Sequence, residues 1–392
     1  MPDDADVIVV GGGPAGLSTA GALGRRGVSC VVLEQDAEIG ARWASRYDRL
    51  RLHTTRSLSG LSHVPLPRRL PRYVTKDDFA AYLRDYAERL ELDVRLGQSV
   101  VRVHPEHGGW AVETEDRVWR TRVVVLATGR HDRPFLPDWP GRERYRGRLL
   151  HSDEYRSGID FRGRDVLVVG LGNSGAEIAA DLADSGARRV AVAVRTVPPI
   201  SRRDVLGVPV QVLGIAGSLL SVSLADRMAA LLRRLGTGDL SRFGLGPAAW
   251  GSFSARRPPV IDAGFLRELR RGRIEILPAV AELTLEGALL ADGRRESFDA
   301  VIAATGYRCA LPELLGLPGD ELPPGLHAIG FRESARGALF EIRRDSLRLA
   351  REIEGELASR AESPEALLRD LPEPSGSEDQ VIHREKIQLI LR

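Results

Sequence analysis

The chain is poor in sulfur and aromatic side chains. Its 392 residues include two cysteines, two methionines and 5% aromatics. Cys30 and Cys309 are far apart and no C-x-x-C occurs, which excludes a dithiol redox centre and a cysteine zinc cluster; no metal site is expected. Blocks of like charge are also missing. The arginines are dispersed and the net charge is +2, so nothing marks a nucleic-acid-binding tail and no nucleic-acid partner is expected. The acidic N-terminus runs directly into an apolar strand and leaves no room for a secretory leader, which implies a cytoplasmic protein. Long apolar runs are absent with one exception. Val205 to Leu224 carries no charge over 20 positions, the length that could span a bilayer. Its glycines, Pro209, Gln211 and serines argue for a buried or pocket-lining segment, and membrane contact is not expected.

What the chain does have is glycine placed with purpose. Asp6 to Glu34 reads DVIVVGGGPAGLSTAGALGRRGVSCVVLE. Val7 to Val10 is a β-branched apolar run suited to a buried parallel strand. Gly11, Gly13 and Gly16 follow in G-x-G-x-x-G spacing, with Pro14 and Ala15 between the last two. In this pattern the first glycine makes the tight turn, the second admits a pyrophosphate, and the third lets helix and strand pack closely. The helix that opens there offers unpaired N–H groups to phosphate. Glu34 closes the next strand 23 positions after Gly11, where an acid that hydrogen-bonds a ribose hydroxyl is expected.

The pattern then repeats. Asp165 to Val169 predicts a strand, and Gly170, Gly172 and Gly175 follow in the same spacing, with Asn173 and Ser174 between. The residue closing the second unit is Arg195, beside Thr196. An arginine at this place accommodates a 2′-phosphate, with Arg202 and Arg203 as candidate helpers. Each unit is matched by an apolar strand ending in A-T-G: Ala127-Thr128-Gly129 and Ala304-Thr305-Gly306. Two nucleotide folds with opposite ribose preferences imply two dinucleotides face to face, FAD in the first site and NADPH in the second.

The fold class is therefore α/β, with two Rossmann-like domains. Residues 1–150 read as the FAD-binding domain. Residues 151–305 read as the NADPH-binding domain with an insertion at about 198–265, 306–360 as the return to the first domain, and 361–392 as a tail with a short helix around Val381 to Leu391. The insertion is too long for an ordinary loop and is assigned to the substrate cavity. A helix is predicted over Thr75 to Leu90, and a small meander over Val94 to Val103, Trp110 to Thr114 and Val118 to Arg122. The aromatic, arginine-rich loop from Gly40 to Thr54 would sit over the ligand. There Trp43, Arg46 and Tyr47 either pack on a ring system or tie the loop down. Gln35, Arg42, Trp43, His53, Val101 and Gly330 are grouped with the first site as candidate cofactor contacts. The segment after Arg360 could serve a homodimer interface.

Several motifs together resemble the flavin-containing and Baeyer–Villiger monooxygenases, most closely their YUCCA-like group, over roughly residues 5 to 355. YRGRLLHSDEY matches the identifying pattern F-x-G-x-x-x-H-x-x-x-Y at Gly147, His151 and Tyr155, with Tyr145 where phenylalanine is usual. VVGLGNSGAEIA, VRT at 194–196 and IAATGY at 302–307 also match. Mammalian-type members carry an asparagine in a T-N-K stretch where this chain reads LHTTR, with Thr54 and Thr55. The resemblance implies an oxidoreductase in which NADPH reduces FAD. Reduced flavin then takes up O₂ as a hydroperoxide and transfers one oxygen atom to a small organic substrate. His151 and Thr55 are its candidate catalytic residues, and His151 is expected to position the linker rather than act as a base. The other readings of the residues are an NADPH oxidase or flavin reductase without oxygen insertion, and a non-catalytic dinucleotide sensor.

Overall fold

The computed structural model describes residues 4–106, 108–131, 133–309 and 322–362. The expected helix around Val381 to Leu391 lies outside them. Strand β1 (Ala5–Val10) is almost wholly buried, as its β-branched sequence requires. Helix α1 (Pro14–Gly24) starts with proline in its first turn, where a missing N–H costs nothing. β2 (Cys30–Leu33) pairs parallel to β1, and β3 (Asp93–Arg95) pairs parallel to β2. Between them, α3 (Lys76–Arg89) is capped by Thr75, whose hydroxyl accepts the Asp78 N–H at 3.1 Å.

On the other side of β1 the sheet continues with β6 (Val118–Leu126), β5 (Gly109–Thr114) and β4 (Val100–Glu106). β1–β6 is parallel, while β6–β5 and β5–β4 are antiparallel. Two sequence expectations are corrected here. Val94 and Val103 lie on different strands at opposite edges of the sheet, because Val94 follows a helix and pairs parallel to β2. Val118 to Arg122 and Val123 to Leu126 form one continuous strand, so the last meander strand is also the buried one that ends in Ala127-Thr128-Gly129. Leu326–Ala328 pairs parallel to β6 and returns the chain to this sheet. The final helix, α8 (Ala338–Glu362), packs on α1, and Ser18 Oγ and Ser346 Oγ meet at 2.8 Å within that core.

The second sheet contains β8 (Arg148–His151), β9 (Asp165–Val169) and β10 (Arg189–Val194), with Ala300–Ala303 and Glu275–Pro278. All of its pairings are parallel. Its first residues, Arg148 to Leu150, fall inside the stretch expected for the first domain. Helix α4 (Asn173–Ser185) covers it, and a separate core of Val166, Val168, Ile178, Leu182 and Ile302 fills the space between. Burial of each such side chain is worth about 1.5–3 kcal/mol.

The chain crosses between the sheets twice. The two crossings meet as an antiparallel pair, β7 (Arg133–Pro134) with Tyr307–Arg308. The insertion contributes a short hairpin (Asp204–Val205 with Val208–Pro209), helix α5 (Val210–Gly217) and helix α6 (Val222–Thr237). The expectation of a buried run from Val205 to Leu224 is corrected. Gln211 and Gly214 are buried, but Leu206, Leu219, Leu220 and Leu224 are exposed. No helix among the described residues is long and apolar enough to cross a membrane.

Two candidate dinucleotide sites

The turns after β1 and β9 are built alike. Gly11 has φ +109° and Gly170 φ +105°, a backbone region that other residues rarely adopt. A Cβ on Gly11 would lie 2.7 Å from the Ala127 carbonyl oxygen, and one on Gly170 would lie 2.6 Å from that of Ala304. Each turn is thus pressed against its own A-T-G segment. A Cβ on Gly16 would lie 1.9 Å from the Gly11 oxygen, and one on Gly175 would lie 2.1 Å from the Gly170 oxygen. The middle glycines differ from these. Gly13 and Gly172 have nothing within 4 Å of a built Cβ, and neither have Gly129 and Gly306. Glycine is therefore demanded by packing at the first and third positions and leaves open space at the second, which is the cradle a pyrophosphate needs.

The ends of the two units differ. Glu34 accepts the Gly12 N–H at 2.5 Å and the Asp36 N–H at 2.9 Å. Burial lifts its carboxyl above the usual range, against the pull of those donors. The Gln98 N–H donates to the Glu34 carbonyl at 2.8 Å, so the chain running to Val101 leaves from the same edge. Val101 is exposed at the irregularity in the β4–β5 ladder, and Gln35 is also exposed. Arg195 and Thr196 are exposed at the end of β10, and no ion pair holds Arg195 among the described residues. Arg202 lies on the short strand Ile200–Arg202 that follows. It lines a groove of about 610 Å³ with Asp204, Asp262, Arg267, Arg270 and Arg271.

The A-T-G turns also differ. Thr128 Oγ1 is buried with no hydrogen-bond partner among the described residues, whereas Thr305 Oγ1 donates to the Phe135 carbonyl. A buried hydroxyl without a partner is costly unless a ligand supplies one. Gly330 (φ +87°) abuts the first turn of α1, where its Cβ would lie 2.8 Å from that of Ala15.

The loop from Gly40 to Thr54 ties the halves together. Trp43 meets Phe79 of α3 edge to face at 4.6 Å, so it anchors the loop. Arg42 is exposed on the short helix α2 (Ala41–Ala44). The Tyr47 hydroxyl donates to Glu177 Oε2 at 3.1 Å, and His53 Nε2 lies 2.6 Å from Glu177 Oε1. Glu177 belongs to α4 and is 1% exposed. The first sheet's loop thus grips a buried acid of the second unit. Asn173 points the other way, its Oδ1 accepting the Ile261 N–H at 2.8 Å, while Ser174 is half-buried in the first turn of α4.

His151 ends β8 and is buried. Its Nε2 donates to the Gly306 carbonyl at 2.9 Å, and its Nδ1 accepts the Asp153 N–H at 3.1 Å. This bonding fixes the neutral Nε2–H tautomer, and burial holds the imidazole below its ordinary pKa. Next to it, the Tyr307 hydroxyl donates to Asp153 Oδ1 at 2.9 Å, and Arg46 bonds both groups. Burial, the largest single effect, raises the Asp153 carboxyl, but Arg46, the Tyr307 hydroxyl and Arg42 together outweigh it and hold the carboxyl below the usual range.

Thr55 is buried, and its N–H donates to Gln211 Oε1 at 3.0 Å. Gln211 Nε2 donates in turn to the Arg336 carbonyl at 2.9 Å. A Cβ on Gly337 would lie 2.5 Å from Thr54 Cγ2 and 3.0 Å from Gln211 Nε2. One amide from the insertion therefore joins the Thr54-Thr55 loop to the segment that opens α8. Sequence reasoning missed Gln211 and Glu177. The signal for Gln211 was a lone amide inside an uncharged run, and for Glu177 a lone acid on the apolar face of a fingerprint helix.

Cys30 and Cys309 form no disulfide among the described residues, and burial pushes the Cys30 thiol up to about 12. Two open phosphate cradles with opposite charges at their rims define a class of two-dinucleotide oxidoreductases. The pyridine nucleotide-disulphide oxidoreductase family pattern matches residues 8–205. Indole-3-pyruvate monooxygenase YUCCA1 of Oryza sativa subsp. japonica is 37% identical over 84% of this chain and 84% of its own. The flavin-containing monooxygenase from Stenotrophomonas maltophilia superposes with a TM-score of 0.70 at 26% identity, over 91% of this chain and all of that one. OTEMO, solved in complex with FAD and NADP, shares the fold with a TM-score of 0.71 at 16% identity, over 92% of this chain and 86% of that one. The chain belongs to the YUCCA-type flavin monooxygenases of the pyridine nucleotide-disulphide oxidoreductase family.

Proposed function

We propose that this protein is an FAD-containing, NADPH-dependent monooxygenase that inserts one atom of O₂ into a small organic substrate. The observation that carries the reading is the pair of matched phosphate cradles with Glu34 at one rim and Arg195 at the other. The first cradle, the unpartnered Thr128 hydroxyl and Glu34 fit FAD. The second cradle, open at Gly172 and Gly306 and edged by Arg195 and Thr196, fits NADPH. Bound there, the two cofactors supply hydride transfer and the activation of O₂. The chain's own part is positional. The α1 and α4 N-termini receive the pyrophosphates, Glu34 accepts a ribose hydroxyl, and Arg195 neutralises a 2′-phosphate.

His151 is a positioning residue, because both ring nitrogens are bonded to backbone and neither is free to move a proton. Thr55 and Gln211 close the insertion over the first site and help exclude water. The domain assignment follows the sheets: the first carries FAD, the second carries NADPH, and α8 returns to the first. The names of the plant relatives make an aromatic 2-oxo acid the first substrate to test.

The test is anaerobic reduction of the yellow protein by NADPH, followed by O₂ with and without indole-3-pyruvate. Reoxidation coupled one-to-one to product supports the proposal. Stoichiometric reduction of O₂ to hydrogen peroxide for each NADPH oxidised, with no oxygenated product in the presence of indole-3-pyruvate or other 2-oxo acids, would instead assign an oxidase.

A further inference from the structure

Helix α6 carries more apolar surface outward than a soluble face needs. Leu224, Met228, Leu231 and Leu235 recur at i, i+4, i+7 and i+11, which aligns them in one stripe. Together with Leu219, just before the helix, they are 46% to 86% exposed. The opposite face holds the buried Ala225 and Thr237 and anchors the helix to the protein. Isolated exposed leucines need no explanation, but a continuous stripe marks an interaction surface.

Charge identifies the occupant. Residues 198–265 contain eight arginines and four aspartates. All four aspartates are engaged within the protein. Asp204 accepts the Tyr73 hydroxyl, Asp226 the Phe253 and Ser254 N–H groups, Asp239 the Ser241 N–H, and Asp262 the Gly264 and Leu266 N–H groups. Arg227 and Arg234, seven residues apart, flank the stripe exposed and with no ion pair among the described residues. The outward field is therefore positive around an apolar strip. A second copy docked about a two-fold axis would bring these arginines towards their own counterparts, which like-charge repulsion opposes. An anionic lipid surface complements both features. We infer that α6 docks this protein, lying flat, on an anionic membrane surface with its leucine stripe among the acyl chains and its arginines at the headgroups. At 16 residues the helix is too short to span a bilayer. The inference stands independently of the catalytic reading.

Flotation of the full flavin-loaded chain with vesicles tests it. Binding is expected to phosphatidylcholine vesicles containing phosphatidylglycerol, with little to phosphatidylcholine alone. The pair Arg227→Glu and Arg234→Glu should weaken binding roughly ten- to thirtyfold. The pair Leu231→Gln and Leu235→Gln should abolish it, with flavin content and thermal melting unchanged. Absence of flotation, or equal flotation of all the variants, overturns the inference. So does a wild-type dimer that the leucine variant converts to monomer, which would assign the stripe to a second copy.

Discussion

The turn after β1 and the turn after β9 share their glycine geometry to within a few tenths of an ångström, yet the strands that follow end in opposite charges. Packing explains the likeness. At Gly11, Gly16, Gly170 and Gly175 the neighbouring atom is a backbone carbonyl that cannot give way. Selectivity explains the difference, because the residue at the end of the second strand touches only the ribose side of a ligand. A nucleotide fold thus separates the part that holds phosphate from the part that tells one dinucleotide from another, and each can be altered alone.

The largest effects come from the shared part. Gly16→Ala drives a methyl group into the Gly11 carbonyl and should cost about 3 kcal/mol or more, leaving protein that is insoluble or colourless. Gly175→Ala makes the same collision in the second unit. It should leave a yellow protein that NADPH no longer bleaches; loss of flavin in that variant would show that the two cradles are not independent.

Glu177→Ala tests the grip between the halves. It strands the buried Tyr47 hydroxyl, and a denaturation midpoint should report about 2–3 kcal/mol lost, mostly restored in Glu177→Gln. Arg195→Ala addresses the rim alone. Loss of a charge-assisted contact of about 1.5–3 kcal/mol raises KM for NADPH roughly ten- to a hundredfold and leaves NADH unchanged; an equal change for both nucleotides would remove Arg195 from the 2′-phosphate.

The smallest effect is the pH response of His151. Its folded pKa is depressed, so below about pH 6.5 the unfolded chain binds the proton more readily. Stability is full above that pH and falls as acid is added, by at most about 1.4 kcal/mol per pH unit from this group. His151→Asn should flatten this part of the profile of Tm against pH.

Both cradles were legible because their chemistry is local: strand, glycines, helix and rim residue are contiguous in sequence. The continuity of β6 was not legible, because one strand serves both as meander edge and as buried centre and so changes its burial pattern midway. Gln211 and Glu177 were not legible for a different reason. Their partners lie 156 and 130 residues away, and nothing near Thr55 or Tyr47 in the sequence asks for an amide or an acid. The run from Val205 to Leu224 misled because apolar composition predicts burial only when something in the fold covers it. The same run nevertheless supplied Gln211, a buried polar side chain whose amide bonds Thr55 and the Arg336 carbonyl.

The pairing of β7 with Tyr307–Arg308 has a mechanical consequence. Two chains that cross side by side and are bonded to each other act as a strap, stiff to torsion and compliant to bending. Any movement of the second sheet's half against the first sheet's half would have to bend that strap. Tyr307 lies on the strap itself, with its hydroxyl on Asp153 and Arg46, so bending the strap would load the ion pair beside it.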